Sequence, residues 1–274
     1  MKGYTHSLSA GAAWVAVTST STAALGITAQ DPAVVIVGSL LCAGAGMWPD
    51  IDHHNGTIAW SLPPITRWLC GWVGDLSGGH RHATHSLFGI AVTALIGYAM
   101  SLFVIDVEGR SVAIGGGIMA LLLTAFAVKV FGIGNGVASK KSMVGGVLGS
   151  PLGPWLIALT TAGLATWFMG YQWTWLTLAL TLGAFVHCVG DALTIEGVPW
   201  LWPFNPKPPR LLSAVPVAGW VVKQVWMPNG YFRFPLLGQV GSLREKVFAV
   251  LLALYWLYMI VFEMMRVAGV SMLP

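Results

Sequence analysis

Residues 187–204 read H-C-V-G-D-A-L-T-I-E-G-V-P-W-L-W-P-F, and they end an apolar helix with a polar corner. His187 and Asp191 are four residues apart, so a helix projects both side chains from one face. A histidine and a carboxylate at the edge of an apolar segment cost free energy unless they have partners, and a bound cation is the first partner to consider. The other ligands of such a cation must come from elsewhere in the chain.

The composition is that of an integral membrane protein. Of the 274 residues, 56% are hydrophobic and 9% are charged, whereas about 25% of the residues of a soluble domain are charged. Apolar stretches of near-span length lie at 87–105, 112–131, 152–169, 173–190 and 247–262, and two weaker ones at 8–28 and 32–48. We therefore predict one all-α domain, residues 1–274, with a helical bundle of about seven transmembrane or membrane-embedded helices. Whether the two weaker stretches cross the membrane fully stays open.

The basic residues predict the orientation of this bundle. If each stretch crosses once, eleven of the fourteen Lys and Arg residues fall on the side of the N-terminus. They are Lys2, Arg67, Arg81, Lys140, Lys141, Lys207, Arg210, Lys223, Arg233, Arg244 and Lys246. The positive-inside bias makes that side cytoplasmic, and all seven histidines also fall there. Because topology accounts for the net charge of +4, no nucleic-acid partner is expected.

Residues 196–246 are rich in proline and tryptophan and follow the sixth apolar stretch. The prolines argue against long helices, although 217–226 suits a short helix along the membrane. The aromatic side chains suit the headgroup layer. We predict an interfacial segment on the cytoplasmic side.

Polar clusters occur at four places on this side: Thr5-His6-Ser7, Trp48–His54, His80–Ser86, and His187 with Asp191. The string T-H-S-L recurs at 5–8 and 84–87. This repeat predicts that each threonine caps a helix and that the following histidine, in the first turn, stays neutral and able to bind metal. In an extended segment, Asp50 and Asp52 would point to the same side.

Six side chains in these clusters are candidate metal ligands: His6, Asp50, Asp52, His85, His187 and Asp191. A mixed His and Asp set suits zinc, with manganese or iron(II) as alternatives, better than the all-oxygen shells of magnesium and calcium. A mononuclear catalytic zinc site uses three protein ligands, so six candidates predict one or two ions. Such a centre activates water and steadies the charge that develops on a phosphoryl or acyl oxygen.

Neighbouring residues are candidates for the remaining chemistry. Arg81 has the planar fork that binds a phosphate. His80 and His82 are further ligands or proton donors. Glu196 is a general base or an acceptor for a ligand, and a solvated turn carboxylate is an equally good interpretation of it.

Three motifs resemble one protein family: P-D-I-D-H at 49–53, H-R-x-x-T-H-S at 80–86, and H-x-x-x-D-A-L-T-x-x-G-V-P-x-L-W-P-F at 187–204. Together with Thr5-His6, they resemble the YdjM family of inner-membrane, metal-dependent hydrolases. The resemblance implies a bacterial or phage inner-membrane protein whose His and Asp positions bind the metal. The order of the motifs is also similar to that of the all-helical zinc phospholipase C and single-strand nuclease group, which favours a phosphodiester substrate.

These features together predict a membrane-bound metal-dependent hydrolase. Its metal-activated water would attack a phosphodiester or lipid-like substrate, such as a phospholipid, at the cytoplasmic face. The alternative is a non-catalytic metal-binding membrane protein, either a transporter or a regulatory or scaffold protein. A transporter should carry ionisable groups near mid-bilayer. Only Lys129 and Glu263 lie within spans, while the candidate ligands cluster at one edge, which favours surface chemistry over passage.

Overall fold

The computed structural model describes residues 1–132, 150, 152–169, 172–209 and 216–270. In these ranges the α-helices are Gly3–Thr18 (α1), Pro32–Ala45 (α2), Ile65–Ser77 (α3), Leu87–Leu102 (α4), Ile114–Val130 (α5), Leu152–Phe168 (α6), Trp175–Ala192 (α7), Pro216–Val225 (α8) and Leu243–Val267 (α9). Short 3-10 helices are Pro49–Asp52 (η1), Thr57–Trp60 (η2) and Ala83–His85 (η3). Strands Ile105–Val107 (β1) and Arg110–Val112 (β2) form an antiparallel hairpin. Lys140, Lys141 and Arg210, which contributed to the predicted orientation, lie outside the described residues.

Three helices in the described part of the chain are long and apolar enough to cross a membrane. They are Pro32–Asp52, which combines α2 with η1, Trp175–Ala192 and Leu243–Val267. The apolar helices α4, α5 and α6 are shorter. The prediction of a mostly helical membrane protein is confirmed in this coarse form, and the seven-helix arrangement stays a prediction.

The centre of the bundle is built from α1, α2 and α7, with α5 packed on α2 and α9 packed on α1. Small residues allow this close approach. A Cβ added to Gly38 of α2 would lie 2.4 Å from the ring of Trp14 of α1. That ring is fully buried and donates its N–H to the Val35 carbonyl at 3.0 Å. The contact fixes α1 against α2 and so fixes where His6 lies.

Gly44 provides a direct test of this packing. A Cβ at Gly44 would lie 1.9 Å from the backbone oxygen of Leu123 in α5, so the two helices would have to separate. We expect Gly44→Ala to lower stability by about 1–3 kcal/mol, the usual cost of overpacking, measured by thermal unfolding in detergent. The control is Gly163→Ala in α6, where no atom lies within 4 Å of the added Cβ. Equal melting temperatures for Gly44→Ala and the unaltered protein would contradict the packing.

Two local predictions are wrong. Lys2 is the N-cap of α1, and the Thr5 hydroxyl instead donates to Glu245 of α9 at 2.9 Å. At the second repeat, Ser86 caps α4 by accepting from the Gly89 N–H at 3.2 Å, because Thr84 and His85 belong to η3.

The third correction concerns η1. Asp50 and Asp52 lie on a 3-10 helix rather than in an extended segment. The short helix predicted at 217–226 is present as α8, whereas α3 was not predicted.

Candidate metal centre

Four segments of the chain meet at one end of the bundle and bring the six predicted ligands together. They are His6 from α1, Asp50 and Asp52 from η1, His85 from η3, and His187 and Asp191 from α7. All except Asp50 are at most 2% exposed. Together with His80, these residues form three overlapping groups, in each of which one nitrogen or oxygen atom per residue lies within 4.8 Å of the others.

The central group contains Asp50, His85 and His187. The Nε2 atoms of His85 and His187 face each other at 3.1 Å. Asp50 Oδ1 lies 3.4 Å from the first and 3.5 Å from the second. Asp191 Oδ2 lies 3.9 Å and 3.7 Å from the same two nitrogens. Ligands about 2.0–2.2 Å from a tetrahedral zinc are about 3.3 Å apart, so these separations are close to those of a shared ion.

His187 is oriented by the end of α2. Its Nδ1 lies 2.6 Å from the carbonyl oxygen of Gly46. Because a carbonyl only accepts, the proton is on Nδ1 and the lone pair on Nε2 points into the group. The ring of His6 stacks on that of His187, with centroids 3.8 Å apart. The sequence motifs gave no indication of the role of Gly46, which comes from the packing of α2 against α7.

The second group contains Asp52, His80 and His85. Asp52 Oδ1 lies 2.8 Å from His80 Nδ1, and Asp52 Oδ2 accepts from the Thr84 hydroxyl at 2.5 Å. His85 Nδ1 lies 3.4 Å from Asp52 Oδ2. Burial lowers the pKa of His85, but hydrogen bonds to Asp50 and Asp52 and their charges raise it to about 9. The two carboxylates therefore favour a positive charge at this point.

The third group contains His6, His187 and Asp191. His6 Nε2 lies 3.1 Å from Asp191 Oδ1, which also accepts from the terminal ammonium of Met1 at 2.5 Å. His6 Nδ1 and Asp191 Oδ2 are buried without a hydrogen-bond partner. Such atoms are rare in folded proteins and point to a missing ion or water. These orphaned atoms and the donor set fit a divalent metal.

Arg81 lies beside the three groups in a constrained conformation. Its φ of 61° is unusual for a residue other than glycine. Its N–H donates to Asp52 Oδ2 at 3.0 Å, and its carbonyl accepts from the Tyr231 hydroxyl at 3.0 Å. The guanidinium donates to Glu196, and its Nη2 lies 3.2 Å from Asp191 Oδ2 without hydrogen-bond geometry. Arg81 and Glu196 are thus adjacent, 19% and 51% exposed.

Tyr231 is a residue that sequence reasoning missed. Burial raises the pKa of its hydroxyl although the nearby Arg81 lowers it, so the hydroxyl stays a donor at neutral pH. The only available signal was that its segment, 196–246, was predicted on the same side as the clusters. Of the other histidines, His53 contacts the His80 ring at 4.9 Å between centroids, His54 is exposed, and His82 Nδ1 lies 3.1 Å from the His80 carbonyl.

A cavity of about 400 Å³ lies beside the second group. Its lining residues are Asp52, His53, His54, Gly74, Asp75, Gly78, Gly79 and His80. A larger cavity of about 500 Å³, between α5 and α6, is lined mainly by apolar residues and contains none of the predicted ligands. Of these two cavities, the smaller one therefore adjoins the cluster, through Asp52 and His80.

Comparison with known proteins agrees with the motifs. The family model described as YdjM inner membrane protein matches residues 1–269. No curated protein and no solved structure matches the chain. Because the matched range covers almost all 274 residues, the chain belongs to the YdjM inner membrane protein family.

Proposed function

We propose that the protein is a membrane-embedded, metal-dependent hydrolase. Its substrate is a phosphodiester or a lipid-like amphiphile at the cytoplasmic face of the membrane. The observation that carries this proposal is the convergence of six His and Asp side chains, five of them buried, beside a cavity of about 400 Å³. Within this set His6 Nδ1 is buried without a hydrogen-bond partner, and Asp191 Oδ2 has only the Arg81 guanidinium, at 3.2 Å and without hydrogen-bond geometry. Both atoms support a bound ion.

The ligand set suits zinc, with manganese or iron(II) as alternatives, in one or two sites. When bound, the ion supplies Lewis-acid chemistry, which makes water nucleophilic near neutral pH and offsets the charge of a phosphoryl oxygen. His187 and His85 would hold it through Nε2, and Asp50 and Asp191 would supply oxygen atoms. The carbonyl of Gly46 keeps His187 in the tautomer that this requires.

Three residues carry the remaining chemistry. Arg81 binds the phosphate through its planar fork, exchanging its contact with Glu196 for the substrate. His80, held at Nδ1 by Asp52, moves a proton at Nε2. Glu196, which is half exposed, accepts a proton at the edge of the site. When no substrate is bound, it forms the ion pair with Arg81.

The alternative is a non-catalytic metal protein. In a transporter, charged residues of the candidate spans should continue from the cluster as a path for the ion across the membrane. Glu263 in α9 is instead satisfied locally, since it accepts from Ser19 at 2.5 Å and from Arg266 at 2.8 Å. This pairing favours a structural role for Glu263 over passage of an ion. A regulatory or scaffold protein would bind metal without turnover.

Hydrolysis is tested with purified protein in lipid nanodiscs, loaded separately with zinc, manganese or iron(II). The substrates are a panel of phospholipids and a soluble chromogenic phosphodiester. We expect turnover that requires metal and is removed by a chelator, while Arg67→Asn, altered outside the three groups and outside the lining of the cavity, keeps it. Stoichiometric metal without turnover on any of these substrates would favour the non-catalytic alternative.

A further inference from the structure

Helix α3 is amphipathic, but the face that points away from the rest of the protein is the apolar one. Thr66, Cys70 and Ser77 are buried. The opposite stripe consists of Ile65, Trp68, Trp72 and Leu76, which are 50%, 71%, 54% and 67% exposed. These spacings follow the helical period and therefore line one face. The rings of Trp68 and Trp72 stack in parallel, with centroids 6.3 Å apart.

The buried face of α3 packs against η1, which carries Asp50 and Asp52, and against η2. The Thr66 hydroxyl donates to the Ala59 carbonyl at 2.9 Å and accepts from the Leu62 N–H at 3.0 Å. A Cβ added to Gly74 would lie 2.7 Å from the backbone oxygen of Asp52. Because α3 is held this closely, the stripe cannot turn inward to bury its tryptophans. It needs an apolar partner outside the described fold.

The connections of α3 indicate which partner is available. The helix follows the candidate span Pro32–Asp52 and precedes the apolar helix α4, so both of its ends are tied to membrane helices on the metal-centre side. Leu87 and Phe88, at the start of α4, are 50% and 55% exposed, and they extend the apolar surface on that side. With 13 residues, α3 is about 20 Å long, which is too short to cross the roughly 30 Å hydrocarbon core.

We propose that α3 lies in the plane of the membrane on the metal-centre side, with Ile65, Trp68, Trp72 and Leu76 inserted at the boundary between headgroups and acyl chains. A short helix with one apolar, tryptophan-bearing face is typical of that position. The cavity beside Asp52 and His80, which Gly74 and Asp75 of α3 help to line, is thereby held at headgroup depth. This membrane contact follows from the fold, and only its use for lipid substrates rests on the proposed function.

The test uses nitroxide spin labels on the full-length protein in phosphatidylcholine and phosphatidylglycerol nanodiscs. Labels are placed at Trp68→Cys and Trp72→Cys on the stripe, and at Arg67→Cys as an exposed control about 100° around the same helix from Trp68. The native cysteines are buried, which directs labelling to the introduced thiol. We expect high collision rates with oxygen and low rates with a water-soluble nickel chelate at 68 and 72, and a shift towards the chelate at 67.

Two results would overturn the membrane contact. Equal access of the chelate to all three positions would place α3 in water. Low collision rates with both reagents at 68 and 72 would mean that protein, such as a second copy of this chain, covers the stripe. Since the labels report position and not turnover, a failure of hydrolysis leaves this result unaffected.

Discussion

Replacing His187 by alanine should abolish stoichiometric metal binding. His187 belongs to two of the three ligand groups, and its Nδ1 donates to the Gly46 carbonyl. Altering a residue that only supports a ligand typically costs 10–100-fold in metal affinity, so removing the shared ligand itself should cost more than about 100-fold. The measurement is elemental analysis of the purified protein, together with competition against a chelator of known affinity.

The control for this loss is His54→Ala, which removes an exposed histidine from the same face and should keep the metal content of the unaltered protein. A His187→Ala protein that folds and keeps its metal would contradict the assignment of the ligands. Folding is checked by comparing thermal unfolding of the two variants in detergent.

Replacing Asp52 by alanine distinguishes a centre with one metal ion from a centre with two. Asp52 belongs to the group with His80 and His85 and not to the two groups that share His187. With two ions, Asp52→Ala should lose about half of the metal, and His187→Ala should lose more. With one ion in the central group, the Asp52→Ala protein should keep its metal. The Thr84 hydroxyl and the Arg81 N–H would then lose their hydrogen bonds to Asp52. Metal content unaffected by either variant would exclude both arrangements.

The sequence was informative about the site because its chemistry is visible in residue type. His6, His85, His187 and the aspartates are polar groups at the edges of apolar stretches, where they need partners. The prediction that they share one side of the membrane followed from letting each apolar stretch cross the membrane once. In the structure the six side chains lie together. Their role as metal ligands stays a prediction until metal is measured.

The features that sequence reasoning missed depend on contacts between distant segments. The carbonyl of Gly46 orients His187 across 141 residues, and the Tyr231 hydroxyl holds the Arg81 backbone across 150 residues. Thr5 was predicted to cap α1, but Glu245 of α9 takes its hydroxyl. For α3 a local signal was present, since apolar residues recur at helical spacing from Ile65 to Leu76. It was missed because the segment lay in a loop between predicted spans.

Arg81→Asn should slow hydrolysis by about 10²–10³-fold, the usual effect of removing a group that stabilises developing charge. Asparagine tolerates the φ of 61° at this position, so the loop should keep its shape. Metal affinity should stay the same or rise, because the guanidinium 3.2 Å from Asp191 Oδ2 would no longer compete with the ion for that carboxylate. The measurements are kcat/KM on the phosphodiester that the protein hydrolyses and metal affinity by chelator competition.

The opposite directions of these two readouts identify what Arg81 does. Replacing a metal ligand such as His187 removes metal and activity together, whereas replacing an arginine that binds phosphate removes activity alone. Arg67→Asn is the matched control, since Arg67 stacks on Trp60 at 4.4 Å from the ring centroid and makes no ion pair within the described chain. If Arg81→Asn loses metal as His187→Ala does, Arg81 acts by holding the cluster together. If it retains full kcat/KM, the phosphate is bound by another group.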